Sequence, residues 1–414
     1  MSNFHYSNGE LFAERVSLRN VAERYSTPAY VYSRAAIESQ WHAYNNSLLQ
    51  RRHLICYAVK ANSNLAVLSV LAKLGSGFDI VSVGELERVL KAGGDPAKVV
   101  FSGVGKRRDE MARALEVNIK CFNVESKSEL LRLNQVAAEK KMQAPVSLRI
   151  NPDVDAATHP YISTGLKDNK FGIAYENALE SFIEAQQLGN INIIGIDCHI
   201  GSQITTIAPY IDALDKIMRL VEQLKSHNIH LQHIDAGGGL GIRYQEESPP
   251  SPEDLVQAIC TTINDSSYEL LLEPGRSIVG NAAVLLMRVE YIKKNSGRNF
   301  AIVDAAMNDM LRPALYDAWL AILPVKEQQS TAVADYDIVG PVCESGDFIG
   351  LNRSLAIEEN DLLAALSSGA YGFCMSSNYN SRPRAAEIMI DDDQMIEIRK
   401  RETIEELMAG ESLL

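Results

Sequence analysis

Five short segments carry side chains able to do chemistry, and each follows directly on an apolar run. They are Ala58-Val59-Lys60-Ala61-Asn62, the pair Asp79 and Ser82, His199-Ile200-Gly201-Ser202, Gly237-Gly238-Gly239, and Glu273-Pro274-Gly275-Arg276. A lysine that ends so apolar a run must bring its ammonium out at the strand end. Desolvation there favours the neutral amine, a Schiff-base nucleophile. The competing reading is a lysine that snorkels to solvent. Glycine lets backbone N–H groups approach an anion closely, so the triplet and the Glu-Pro-Gly-Arg turn read as a phosphate site or, alternatively, as tight turns with no ligand. The triplet is not a dinucleotide fingerprint, because Ile242 stands where a third glycine is required.

The elements that must position these groups are eight near-continuous apolar runs: Leu54 to Val59, Phe78 to Val81, Val99 to Ser102, Lys120 to Val124, Val146 to Ile150, Ile193 to Cys198, Leu231 to Ala236 and Glu269 to Glu273. Runs of this kind suit strands buried on both faces of a parallel sheet. Helical periodicity lies between them, with Leu65, Leu68 and Ala72 on one face of the first helix and Leu130, Leu133 and Val136 on a later one. Eight strands alternating with helices predict an α/β fold with a (β/α)8 TIM barrel over residues 36–281, with a doubly wound open sheet as the competitor. In a barrel the reacting groups come from the C-terminal strand ends, and phosphate commonly sits after the last two strands, where the glycines lie. A phosphate site, a lysine and a flat ring at His199 together suggest pyridoxal 5'-phosphate. Beyond Gly280 the helices stop. Val284 to Ile292, Phe300 to Asp304, Tyr336 to Val339, Asp361 to Leu366 and Ala386 to Ile390 read as a mainly antiparallel β domain, formed by 282–414 together with 1–35.

At 414 residues the chain is long enough for two domains. Asp and Glu outnumber Lys and Arg by 53 to 40, and the net charge of −13 repels nucleic acid and anionic membrane alike. The basic run Lys106, Arg107, Arg108 reads as a solvated helix end. Six cysteines without a C-x-x-C pair, no leader-like N-terminus and no long apolar segment lead to the expectation of a cytoplasmic protein. No metal-binding spacing such as H-E-x-x-H appears, and no metal is expected.

Seven motifs in order resemble those of the diaminopimelate decarboxylase family, in the alanine-racemase-like class of pyridoxal-phosphate enzymes. They are Tyr57-Ala58-Val59-Lys60-Ala61-Asn62, His199-Ile200-Gly201-Ser202-Gln203, Gly237-Gly238-Gly239, Glu273-Pro274-Gly275-Arg276, Arg312-Pro313-Ala314-Leu315-Tyr316, Cys343-Glu344-Ser345-Gly346-Asp347 and Gly369-Ala370-Tyr371-Gly372. The likeness runs from about residue 28 to 390. Asn169 stands where the family often has Ser, and Ala385 where it often has Pro.

The resemblance implies roles. Lys60 would hold the cofactor covalently, with Asp79 nearby and His199 stacked on the ring. Gly239 and the Gly275-Arg276 backbone would hold the phosphate, Ser202 would also bind the cofactor, and Glu273 would face the pyridine nitrogen, where a carboxylate makes the ring a strong electron sink. Arg276, Arg312 and Tyr316 would clamp a distal carboxylate, Glu344 would pair with the distal ammonium, Tyr371 would reach both cofactor and substrate, and Cys343 would return a proton. The implied reaction is decarboxylation of meso-2,6-diaminopimelate to L-lysine and CO2, the last step of lysine biosynthesis. A sister decarboxylase of carboxynorspermidine, or of ornithine or arginine, is the alternative. A homodimer with active sites shared between chains is expected by the same resemblance.

Overall fold

The computed structural model describes residues 3–155, 165, 169–295, 297–328 and 332–414. The chain divides into two compact units. One comprises Gln40–Ile242 and Ser248–Ser277; the other comprises Met1–Ser39, Arg243–Glu247 and Ile278–Leu414. The seams thus lie at 39/40 and 277/278, and the short excursion Arg243–Glu247 clusters with the second unit, a feature that nothing in the sequence marks.

The first unit is a closed parallel barrel. Its strands are β1 (His53–Ala58), β2 (Gly77–Ile80), β3 (Val99–Phe101), β4 (Cys121–Val124), β5 (Ala144–Asn151), β6 (Ile191–Asp197), β7 (His233–Asp235) and β8 (Glu269–Leu272). Each pairs in parallel with the next, and β8 returns to β1 through Leu270↔His53, so no edge is left open. This is the expected barrel, and closure excludes the doubly wound sheet.

Helices follow the strands. In the first, Leu65–Lys73, the buried positions are Val67, Leu68, Val70 and Leu71, so the stripe is rotated from the Leu65-Leu68-Ala72 face expected by spacing. Lys106 is likewise not a solvated helix end. Its ammonium is buried, donating to Gly103 O at 2.9 Å, Asn123 O at 2.7 Å and Glu129 Oε1 at 2.7 Å. Three acceptors offset the cost of burying the charge. At the opposite end of the barrel His233 fills the interior: a Cβ on Gly195, its register partner, would come within 2.0 Å of its Nε2. Burial pushes this imidazole down to about 3.

In the second unit a mainly antiparallel sheet runs, in order, Phe348–Leu355, Ala334–Val339, Arg298–Val303, Ala283–Asn295, Ala29–Ser33, Ala386–Asp391 and Gln394–Arg399. Two of its pairings are parallel. Alternate residues enter opposite cores, Tyr30, Tyr32, Leu285 and Met287 on one face, Val31, Val284, Leu286 and Ile388 on the other. The charge its central strands bury is paired within the sheet, Glu387 accepting from the Tyr32 hydroxyl at 2.8 Å and from Arg399 Nε at 2.7 Å, and the candidate site groups of this unit sit on connecting loops.

Candidate functional site

The barrel assembles one constellation at the C-terminal ends of its strands. After β1 the chain enters a single helical turn, Val59–Ala61, that presents Lys60. The turn is fixed by its neighbours: Tyr57 donates its hydroxyl to Asn62 O at 3.0 Å, Asn62 Oδ1 accepts from Asn64 N at 3.0 Å, and Asn64 Oδ1 caps the next helix through Ala66 N at 2.9 Å.

Lys60 Nζ lies 2.5 Å from Oδ2 of the wholly buried Asp79 on β2. A carboxylate at this distance opposes the desolvation from which the sequence reading expects a neutral amine. The other Asp79 oxygen has no partner among the described residues. Ser82 caps the helix Val83–Lys91, and Glu85 returns a bond to Val81 N at 2.7 Å. Burial pushes the Glu85 carboxyl up to about 7.

His199 follows β6 and is half-buried. Its Nδ1 accepts from Gly238 N at 3.2 Å, which assigns the ring proton to Nε2. Burial holds the imidazole well below its ordinary range, and the charges of Arg149 and Lys60 push the same way, so a flat neutral ring is presented. Ser202 Oγ accepts from Arg276 Nη2 at 3.0 Å, joining the turns after β6 and β8.

Between them run the glycines. Gly239 has φ +105°, and a Cβ there would come within 2.4 Å of Gly201 O; one on Gly275 would press on Ala58 and Ala61 at 3.0 Å each. This part of the barrel end accepts only backbone. Glu273 follows β8 with its carboxylate buried, accepting from Asn123 Nδ2 at 3.2 Å, while Asn123 also donates to Ser102 Oγ at 3.1 Å.

The sequence reading missed most of the groups around Glu273. Asp197 and Asp235, register partners on β6 and β7, place carboxylate oxygens within 4.8 Å of each other and of Glu273. Arg149 on β5 is the cation among them, with Nη1 at 3.1 Å from Glu125 and Nε at 3.7 Å from Asp197. Three buried carboxylates so close cannot all ionise. Burial raises all three: Glu273 and Asp197 rise well above the carboxylate range, with the Asp235 charge adding to both, and Asp235 rises to about 7, with the Asp79 charge adding to its burial. The available signal was an acidic residue closing the apolar runs Ile193 to Cys198 and Leu231 to Ala236, a position that costs free energy without a purpose.

These residues fit pyridoxal phosphate. An amine, half-exposed on a short turn, can form the covalent link; a neutral ring and a backbone-only glycine lining suit an aromatic phosphate. A buried carboxyl that gains from a cationic partner suits a protonated pyridine nitrogen.

In the second unit, Arg312 begins the short helix Arg312–Tyr316 and is buried, its guanidinium 4.7 Å above the Tyr244 ring. Tyr371 is held at φ 55°, between Gly369 and Gly372; a Cβ on Gly372 would meet Ser368 O at 2.5 Å. Cys343 is exposed and sits with Glu344 on the loop between Ala334–Val339 and Phe348–Leu355. Asp347 ties that loop down, accepting from Val342 N and Met307 N at 2.7 Å each.

Residues 34–280 match the family model of the pyridoxal-dependent decarboxylases, pyridoxal binding domain. Diaminopimelate decarboxylase of Pseudomonas aeruginosa is 59% identical over 414 residues, covering all of both chains. Among solved structures, diaminopimelate decarboxylase from M. jannaschi is 38% identical with a TM-score of 0.95, covering 100% of this chain and 98% of that one. The enzyme from Helicobacter pylori, complexed with L-lysine, is 42% identical with a TM-score of 0.92, covering 95% and 98%.

Proposed function

The chain belongs to the diaminopimelate decarboxylase family, and we propose that it removes CO2 from meso-2,6-diaminopimelate to give L-lysine, in the cytoplasm, as a homodimer whose active sites are shared between chains. The observation that carries this reading is the buried Glu273 carboxyl, at the same barrel end as Lys60 and its Asp79 partner.

Pyridoxal phosphate, when bound, supplies an electron sink for the pair left as CO2 departs. The protein supplies the rest. Lys60 provides the amine that retains the cofactor, and Asp79 aims it. His199, neutral, gives a flat face to the ring; Ser202, Gly239, Gly275 and Arg276 bind the phosphate. Glu273, whose carboxyl is held high by burial and by the charges of Asp235, Asp79 and Asp197, would ionise on gaining a cationic partner at the pyridine nitrogen.

Substrate recognition falls to Arg276, Arg312 and Tyr316 at the distal carboxylate, since guanidinium forks match a carboxylate bidentately. Glu344 takes the distal ammonium, Tyr371 serves cofactor and substrate, and the Cys343 thiol delivers a proton from Sγ. In the homodimer, the loop carrying Cys343 and Glu344 would serve the partner's barrel. No helix among the described residues is long and apolar enough to cross a membrane.

The test is incubation of the purified protein with pyridoxal phosphate and meso-diaminopimelate. Release of CO2 and L-lysine in equal amounts is the expected result. Turnover of carboxynorspermidine, ornithine or arginine in preference to diaminopimelate would overturn the substrate assignment.

A further inference from the structure

Asn380 holds Cys343 from across the chain: its Oδ1 accepts the backbone N–H of Cys343 at 3.1 Å. Asn380 and its neighbour Tyr379 belong to none of the seven motifs, and the role assignments above need neither.

The turn that carries them is costly and well anchored. Asn380 adopts φ 56°, ψ 28° and Ser381 follows at φ 53°, the left-handed region that asparagine tolerates better than most residues. On both sides the turn is tied to one segment of the same unit: Ser377 N donates to Asn308 O at 2.9 Å, and Arg382 donates to Asn308 Oδ1 at 3.0 Å and to Asp304 O at 2.5 Å. Asp347, on the same loop as Cys343, bonds Met307 N of that segment. The two loops therefore share one base, and the Asn380 bond is the tie at the cysteine itself. An exposed thiol on a loop has no packing to fix it; a hydrogen bond at its own amide supplies that restraint, and proton transfer falls steeply with misplacement.

We propose that Asn380 is a positioning residue, fixing the backbone from which the Cys343 thiol delivers its proton. The inference rests on the role proposed above for Cys343.

The test uses the holoenzyme and variants chosen to separate backbone from hydrogen bond. Asn380→Gly accepts the left-handed backbone but lacks the acceptor. It should lower kcat about tenfold with KM within about twofold. It should also enlarge the D2O effect on kcat and speed hydrogen exchange at the Cys343 amide. Asn380→Asp keeps an acceptor oxygen and should preserve both kcat and slow exchange. Wild-type kcat in Asn380→Gly, or an unchanged exchange rate at Cys343, overturns the assignment of Asn380. A Cys343→Ala variant run alongside tells the two levels apart: full activity there refutes the role of the cysteine itself, whereas loss there with an active Asn380→Gly refutes only the positioning.

Discussion

The barrel and the β unit solve the same problem, holding reactive groups at fixed positions, by opposite means. In the barrel the groups are interior. Asp79, Asp197, Asp235 and Glu273 are nearly or wholly buried, and Lys60 and Arg149 are the cations set among them. Their behaviour is set by desolvation and by one another. In the β unit the central strands are filled on both faces with mainly apolar side chains, and Cys343, Glu344 and Tyr371 sit on loops held by a few hydrogen bonds and by backbone conformations such as the φ of 55° at Tyr371. Barrel groups should therefore respond to mutation through charge and protonation, and β-unit groups through placement and binding.

The largest expected effect is at Lys60. Lys60→Ala should lower activity on the order of a thousandfold or more, as removal of a nucleophile does. Borohydride reduction of the wild-type holoenzyme should leave the pyridoxyl adduct on the Lys60 peptide. An adduct on any other lysine would move the covalent site.

Whether the two regions serve one site across chains can be asked by mixing inactive variants. If Lys60→Ala and Cys343→Ala subunits exchange at random, half of the dimers are mixed and each has one intact site, so roughly a quarter of wild-type activity should return. Demonstrated exchange with no recovery would mean that each chain keeps its own site.

A smaller effect is expected at Arg312, which meets the far end of the substrate and not the bond that breaks. Arg312→Ala should lose about 1.5 to 3 kcal/mol in kcat/KM for diaminopimelate, the scale of a hydrogen bond to a charged group. An unchanged kcat/KM would remove it from the site.

The contrast also explains what could be read from the sequence. All eight barrel strands were visible because a strand buried on both faces is a continuous apolar run, and Lys60, Glu273 and the glycines stood out as the polar residues that follow such runs. In the β unit, Phe348–Leu355 was missed: it carries Gly350 and a positive-φ Asn352, and its pairing with Ala334–Val339 is broken by bulges. Gln394–Arg399 was missed because it is a largely exposed edge strand without an apolar face. The network beneath Glu273 was hidden for another reason. Asn123 and Glu273 are separated by 150 residues, and only closure of the barrel makes them neighbours. Arg312, Cys343 and Tyr371 carry no local signal of their role; the motifs alone made them legible.

The finest test of the contrast is a pH dependence that belongs to the barrel alone. Burial, with the Asp79 charge adding to it, raises Asp235 in the folded protein from the ordinary carboxylate range to about 7. The folded chain therefore holds a proton that the unfolded chain releases near pH 4. Stability from this group is complete below about pH 4 and is lost as the pH rises through about 7, because the folded state binds more protons across that window. Asp235→Asn is neutral throughout and keeps the side chain's shape. In cofactor-free protein the melting temperature of the wild type should fall between pH 4 and 8, and that of the variant should fall less, because Asp197 and Glu273 retain their own raised values but lose one neighbouring charge. A shift of this size sets a ceiling on the order of 4 kcal/mol for the difference at the alkaline end. The Asn380→Gly variant, altered only in the β unit, should keep the wild-type pH slope. Parallel melting curves for wild type and Asp235→Asn would mean that the three carboxylates do not share protons, and the difference between the two regions would then be one of burial alone.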